Sequence, residues 1–410
     1  MKKLLFILFI TGIVYAQQSR MVELKSIEFV GNQSISSSEL SSVILSKESP
    51  SKLSQFLNSF SSFGNPPVYF DSLLIPSDLQ AIKSLYITRG FFKAKVSYEY
   101  KLKEDGAYLK YIINESAPTR FRSFTLNGLE NRIPGEFLDV INSYVNVDTT
   151  LIYSDAILED RKNYTLAYLR DHGFMLSNYE QPTLIIDTLV NRIDVIINFN
   201  PGKRYLISDV LTVRTGVGMD YVEDQLLKDI VGIKPGMYYS HYDIQRGQVR
   251  LYRTELFNSA IINAIIADTT GNKVPLNISA DIGMLHELSP EIIVNNEDNT
   301  FNLGLGLSFT KKNFLGDARK LTISASAAAQ NISEFLKQMA LNDSTVFGYT
   351  DSRISIEQPF LFGRPINTKI ETYFTLQKRK NEYNSTLYGA KLSFDIELAQ
   401  FTYLNSLSTF

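Results

Sequence analysis

Histidine, carboxylate and glycine residues are the groups whose spacing could support chemistry in this chain. The three histidines, His172, His241 and His286, are scattered, so neither a zinc site nor a Ser-His-Asp triad is predicted. The Gly-Leu-Gly segment at 304–306 lacks the third glycine and the following helix of a dinucleotide-binding loop. No Gly-x-Ser-x-Gly hydrolase motif occurs. We therefore expect no catalytic residue, no bound metal and no cofactor.

The charge balance and the cysteine content further restrict the kind of protein that this sequence can encode. The chain has 41 basic and 43 acidic residues, a balance that argues against a nucleic-acid partner. The basic run Lys378-Arg379-Lys380 is interpreted as a solvated loop rather than a lipopolysaccharide contact. Cysteine is absent, so stability must come from packing and sheet pairing rather than from disulfides.

The first residues are typical of a secretory signal peptide. Lys2 and Lys3 precede a mostly apolar run that ends at Ala16, where we expect cleavage. This run is shorter than the roughly 20 residues that a membrane-spanning helix needs. We therefore predict a signal peptide at 1–16 and export of the remaining chain.

A repeat follows at a regular interval. Gly90-Phe91 and Gly173-Phe174 each end a helical stretch before an alternating strand, and Phe257 follows after the same 83-residue interval. The glycines favour the positive φ of a helix stop, although the third copy has Leu256 in place of glycine. Each copy is predicted to be strand, helix, helix, strand, strand.

The helices carry recognisable start signals. Ser77-Asp78-Leu79-Gln80 predicts a capping box at the second helix of the first copy, and Ser240 predicts a cap in the third copy. Leu79, Ile82 and Tyr86 then fall on one helix face. The segment 47–71 is longer than such a unit needs, which indicates a loop or a small extra helix.

From Pro290 onward, long alternating strands replace helical periodicity. Residues 303–309, 321–327, 366–376 and 388–398 place apolar side chains on one face and glycine, serine or charged side chains on the other. The turns at 313–317 and 362–364 are short, whereas 330–351 is long. A soluble β-sandwich also alternates, but strands of this length with one apolar face favour a transmembrane β-barrel.

The repeats resemble POTRA (polypeptide-transport-associated) domains, and the final third resembles the start of the barrel in BamA/TamA-type assembly factors. The residues that carry the resemblance are Gly90, Phe91, Gly173, Phe174, Phe257, Asn313, Phe314, Gly316, Pro359 and Phe360. The resemblance implies an α+β chain of tandem POTRA modules (β-α-α-β-β) at 22–116, 117–201 and 202–287. The first strands of an antiparallel transmembrane β-barrel follow at 288–410.

The strand count departs from the family pattern. A family barrel has sixteen strands, whereas about seven are predicted here, so we expect a C-terminally truncated sequence. A complete small barrel that ends in Phe410 is the alternative.

The resemblance implies a non-enzymatic outer-membrane assembly factor with its modules in the periplasm. Its expected partners are unfolded outer-membrane proteins, other assembly-machinery or periplasmic proteins, and the lipid bilayer. Two other functions stay open, a two-partner-secretion channel and a structural barrel whose modules only tether partners. Three modules favour an accessory assembly module over the central factor, and secretion channels usually have two.

Overall fold

The computed structural model describes residues 22–59, 62–297, 300–330, 348–379, 383–399 and 402–410. The predicted signal peptide and most of the predicted long loop at 330–351 lie outside these residues. The chain divides into two compact units. One comprises the described residues up to Thr165 together with Tyr179–Phe199, and the other comprises Leu166–Asn178 and Asn200–Phe410.

The first module is a three-stranded sheet covered by helices. Its central strand β3 pairs in parallel with β1 and antiparallel with β2, as in the predicted order. The segment that is longer than the fold needs contains the extra helix α2. The elements are β1 (Leu24–Val30), α1 (Ser37–Val43), α2 (Lys52–Asn58), α3 (Ile75–Thr88), β2 (Lys95–Lys103) and β3 (Gly106–Asn114).

The capping box predicted at Ser77 is wrong. The N-cap lies three residues earlier, at Leu74, and helix α3 begins at Ile75 with Pro76 in its first turn and no side-chain cap. Asp78 is instead fully buried, and it accepts hydrogen bonds from the Tyr111 hydroxyl at 2.6 Å and the Leu45 amide at 2.7 Å. Burial raises the pKa of Tyr111, and its bond to Asp78 raises it further, so the phenol stays protonated and donates. Asp78 thus joins the end of α1 to the central strand.

The second module repeats the order, and its sheet pairs β4 in parallel with β7 and β6 antiparallel with β7. The extended stretch at 178–187 is interrupted at Pro182, which has no amide to donate. Its elements are β4 (Arg120–Asn127), α4 (Gly135–Val145), α5 (Asp155–Asp171), β5 (Asn178–Tyr179), β6 (Thr183–Asp187) and β7 (Arg192–Asn200).

The third module again has a central strand, β10, between a parallel and an antiparallel neighbour. The cap at Ser240 is confirmed, because its side chain accepts from the Asp243 amide at 3.1 Å. The first helix of this module begins at Asp224, after a 3-10 turn at Met219–Tyr221. The elements are β8 (Leu206–Thr215), α6 (Asp224–Val231), α7 (His241–Arg253), β9 (Phe257–Ala264) and β10 (Lys273–Ile282).

The remaining chain forms a seven-stranded antiparallel sheet in sequence order. Its first strand, β11, runs for 12 residues. The strands are β11 (His286–Glu297), β12 (Thr300–Lys312), β13 (Lys320–Ala329), β14 (Gly348–Gln358), β15 (Ile366–Arg379), β16 (Tyr383–Ala399) and β17 (Thr402–Thr409). Among the described residues, no helix is long and apolar enough to cross a membrane.

The register of this sheet separates its two faces. Leu305 and Leu307 lie opposite Ala327 and Ala325, so apolar side chains from neighbouring strands share one face. Large members of that face are exposed, and Ile292 keeps 75% of its accessible surface. An apolar sheet face of this extent, left uncovered by other elements, fits a surface that meets lipid.

The buried carboxylate in the first module gives a direct test of the helix start. We expect Asp78→Ala to destabilise this module by about 2–4 kcal/mol, because the Tyr111 hydroxyl and the Leu45 amide lose their acceptor. Hydrogen exchange of the first-module amides in the full chain measures the change. Ser77→Ala is the matched control and should cost little, since Ser77 is exposed and caps nothing. A larger cost at Ser77 than at Asp78 would restore the capping box.

Candidate functional site

The helix-stop residues adopt the backbone conformation that the sequence pattern predicts for glycine. Gly90 has φ +88° and Gly173 has φ +103°, the left-handed region that favours glycine. The aromatic residue after each glycine turns into a core, and Phe91 contacts Tyr86 edge to face at 5.7 Å. Phe174 is likewise buried.

In the third module, this turn lies one residue earlier than the 83-residue interval predicts. The positive φ falls at Glu255 (+56°), and the next residue, Leu256, is fully buried. The capping bonds agree, because the Thr254 amide donates to Leu251 as the Arg89 amide donates to Tyr86. Leu256 therefore corresponds to Phe91 and Phe174. Phe257 is also buried, but as the first residue of β9.

The stop residue also contacts the element that follows its module. The carbonyl oxygen of Gly90 accepts from the Thr119 amide at 2.9 Å, where the second module begins. The carbonyl oxygen of Gly173 accepts from the Tyr205 amide at 2.8 Å, where the third begins. Glu255, in the same position of the third module, forms an ion pair with Lys320 of β13 at 3.0 Å. We call these three contacts the joints.

The first two joints each include a second contact. At Gly90, a Cβ would lie 2.4 Å from the carbonyl oxygen of Tyr153, so the modules approach too closely for any side chain. Near Gly173, the half-buried carboxylate of Asp171 accepts from the Tyr242 amide at 2.7 Å. Burial raises the pKa of Asp171, which marks it as a desolvated contact.

One outer edge of the first-module sheet is covered by the inserted segment. The Leu24 amide donates to Val68 at 2.9 Å, and the Phe70 amide donates to Val22 at 2.8 Å. The Ile27 amide is also occupied, by the Glu48 carboxylate at 2.6 Å. The edge of β1 is therefore closed to a further strand over much of its length.

The first strands of the other modules are closed in the same way near their starts. The Phe121 amide of β4 donates to Leu151 at 3.1 Å, and the Ile207 amide of β8 donates to Met237 at 2.8 Å. The opposite outer strands, β2 in the first module and β9 in the third, are left open within the described residues. We call β2 and β9 the open edges.

The short turns of the large sheet lie against the third module. The Asn313 side chain donates to the Tyr221 carbonyl at 2.7 Å and accepts from the Ala318 amide at 3.1 Å. Ala318 is buried in the third-module core, and Phe360 packs against the same core. The other predicted motif residues hold these turns or flank them. The Phe314 amide donates to Arg319 at 2.8 Å, Gly316 has φ +82°, and Pro359 precedes Phe360.

Arginines of helix α7 fix the third module to the polar face of the sheet. Arg246, Arg250 and Arg253 lie on one helix face at i, i+4 and i+7. Arg246 and Arg250 both form ion pairs with Glu397 of β16, and the Arg250 Nε–Glu397 Oε2 distance is 2.9 Å. The Glu397 side chain is only 3% exposed, so the contact is shielded from water.

The third arginine extends this contact to the last strand. Arg253 forms an ion pair with Asp395, and its guanidinium lies 4.0 Å from the centre of the Tyr403 ring. We call the contacts of these three arginines the arginine clamp. The sequence did not single them out, although their helical spacing was visible, because their carboxylate partners lie about 150 residues away.

The polar face carries a charged network further along the strands. Arg353 pairs with Asp351 at 2.7 Å and with Glu371 at 3.4 Å. Glu371 also pairs with Lys369 at 3.1 Å and Lys391 at 3.7 Å. Charge on one face and exposed apolar side chains on the other match the two sides of a membrane barrel wall.

Comparison with known proteins agrees with this architecture. Residues 22–116 match the POTRA family model, described as a surface antigen variable number repeat. The chain thus carries POTRA-like α+β modules, followed by a large antiparallel sheet.

Several solved structures match parts of this chain at low sequence identity. BamA POTRA3-5 of Haemophilus influenzae is 19% identical, with 66% of this chain and 100% of that chain covered and a TM-score of 0.40. BamA of Haemophilus ducreyi lacking POTRA domains 1-3 is 13% identical, with 69% of this chain and 48% of that chain covered and a TM-score of 0.47. CdiB of Escherichia coli is 13% identical, with 71% of this chain and 53% of that chain covered and a TM-score of 0.37. The chain spans about half the length of the latter two.

The family match identifies residues 22–116 as a POTRA module. Two further modules with a similar element order and a seven-stranded antiparallel sheet follow it in the chain.

The first joint can be tested at its glycine. We expect Gly90→Ala to cost about 1–3 kcal/mol from the positive φ alone, and the clash with the Tyr153 carbonyl should also separate the two modules. Faster hydrogen exchange at Thr119 and Tyr153 in the full chain would report the separation. Gly135→Ala is the control, because a Cβ there meets nothing within 4 Å. Unchanged exchange in Gly90→Ala would show that the joint does not couple the modules.

The arginine clamp can be tested at its shared carboxylate. We expect Glu397→Gln to release α7 from β16, because removal of one buried partner typically costs about 3–5 kcal/mol. A spin-label distance between α7 and β16 in the full chain should then broaden. Glu291→Gln on the exposed part of β11 is the control and should leave the distance unchanged. A narrow, unaltered distance in Glu397→Gln would mean that the turn contacts alone hold the module.

Proposed function

We propose that this protein is an outer-membrane β-barrel assembly and insertion factor. Its POTRA modules lie in the periplasm and capture unfolded client proteins by adding a client strand to an open edge. The antiparallel sheet lies in the outer membrane, where clients are inserted at the barrel seam. No nucleotide or cofactor takes part, since folding of the client supplies the free energy.

The observation that carries this proposal is the unequal treatment of the two edges in the first module. The edge of β1 is occupied by the inserted segment, while β2 is open over nine residues. Main-chain pairing at an open edge accepts many sequences, which suits capture of unrelated clients. A sheet that served only as a scaffold would gain nothing from closing one edge and leaving the other free.

Insertion at the seam is supported by the first strand of the large sheet. Strand β11 is outermost at one side, and among the described residues it pairs only with β12, over 12 residue pairs. Its apolar residues Leu288, Ile292 and Val294 are exposed on the apolar face. A client strand that paired with β11 would enter with its own apolar face toward lipid.

Proline substitution tests capture at the open edge. Successive amides of a strand face opposite sides, so one of Tyr98→Pro and Glu99→Pro removes an outward amide and leaves the β2–β3 pairing intact. We expect the variant that stays folded to lower the level of assembled outer-membrane proteins severalfold. Circular dichroism identifies that variant, and quantitative immunoblots measure the client proteins. Normal client levels in a folded variant would contradict edge capture.

A photo-crosslinking amino acid distinguishes assembly from secretion of a dedicated polypeptide. At Tyr100 on the open edge, we expect adducts with several outer-membrane proteins. At Ser26 on the closed edge of β1, we expect few adducts, which makes it the matched control. Adducts with one secreted polypeptide only would favour a two-partner-secretion channel.

A further inference from the structure

We propose that the open edge of the first module selects client strands whose residues alternate between large apolar and acidic side chains. This inference rests on the proposed function and names the class of segment that β2 accepts. It follows from the different chemistry of the two faces of β2.

One face of β2 is apolar and only partly covered, since the Phe70 ring lies 4.9 Å from the Tyr100 ring. Tyr98 and Tyr100 lie opposite Tyr111 and Leu109, which are buried, so both tyrosines point to the core side of the sheet. Tyr98, Tyr100 and Leu102 nevertheless keep 43%, 44% and 57% of their accessible surface. The two tyrosine rings stack with centroids 6.4 Å apart, which forms a continuous apolar strip. An added strand with large apolar residues at alternate positions would cover this strip.

The other face of β2 is basic. Lys95, Lys101 and Lys103 alternate with the apolar strip, and the single carboxylate, Glu99, lies opposite Lys110. Within the described part of the chain, no salt bridge involves Lys95, Lys101 or Lys103. Opposite charges across neighbouring strands are stabilising and like charges are not, so this face favours aspartate or glutamate on the client strand.

The same lysines have a simpler explanation. Lysine on an outer strand discourages pairing with other sheets and so prevents aggregation. Under that explanation the lysines weaken every client strand, whatever its charge. The two explanations therefore predict different results when the charge of a lysine is reversed. Only selection of acidic clients predicts that the preference between clients also reverses.

The test uses the full chain in detergent and two labelled nine-residue peptides, one alternating phenylalanine with aspartate and the other phenylalanine with lysine. By fluorescence anisotropy we expect the acidic peptide to bind about fivefold more tightly, as charged cross-strand pairs allow. The preference should shrink at high salt, because these charges are solvent-exposed. The net charge of the chain is −2, so non-specific attraction would favour the basic peptide instead.

Charge reversal provides the decisive comparison. Lys101→Glu should reverse the preference, whereas Lys52→Glu, the same change on exposed helix α2, should not. Tyr98→Ser should weaken both peptides. If both peptides bind at β2 equally and Lys101→Glu changes nothing, the charge preference is wrong but edge capture stands. If neither peptide crosslinks to a photoreactive residue at Tyr100, edge capture itself fails.

Discussion

The positive-φ residue that ends the last helix of each module is the constraint on which the arrangement depends. It reverses the chain so that the next side chain, Phe91, Phe174 or Leu256, enters the core. The same residue then contacts the element that follows its module. Because one residue contributes to both the core and the joint, a substitution there disturbs both. Glycine allows the closest approach of the next module's backbone. The first two copies use its carbonyl, whereas the third uses the carboxylate of Glu255.

The sequence predicted those features that depend on local pattern. Strand alternation, the apolar helix face and the Ser240 cap are confirmed because each depends on neighbours within a few residues. The capping box at Ser77 failed because Asp78 finds partners 33 residues away in Tyr111 and Leu45, and the helix start shifted to Ile75. The third helix stop was predicted one residue too late. The 83-residue interval pointed to the aromatic residue Phe257, which is also buried.

The site was less predictable than the fold, because it is made by long-range contacts between polar groups. The closing of β1 depends on bonds from Leu24 and Phe70 to residues far away in sequence, and composition does not reveal it. The arginine clamp has regular helical spacing, yet an arginine stripe on a helix is usually solvated. Only the burial of Glu397 distinguishes it from a solvated face.

The closed and open edges differ in whether their main-chain groups already have partners among the described residues. Each first strand is occupied near its start by its own module, whereas β2 and β9 have open outer edges. The first joint connects Gly90 to the start of the second module, and the second joint connects Gly173 to the start of the third. At the last joint, Glu255 and the arginine clamp connect the third module to strands of the sheet. In the third module, β9 begins two residues after Glu255, which is paired with Lys320 of the large sheet. The position of this open edge is therefore set relative to the large sheet.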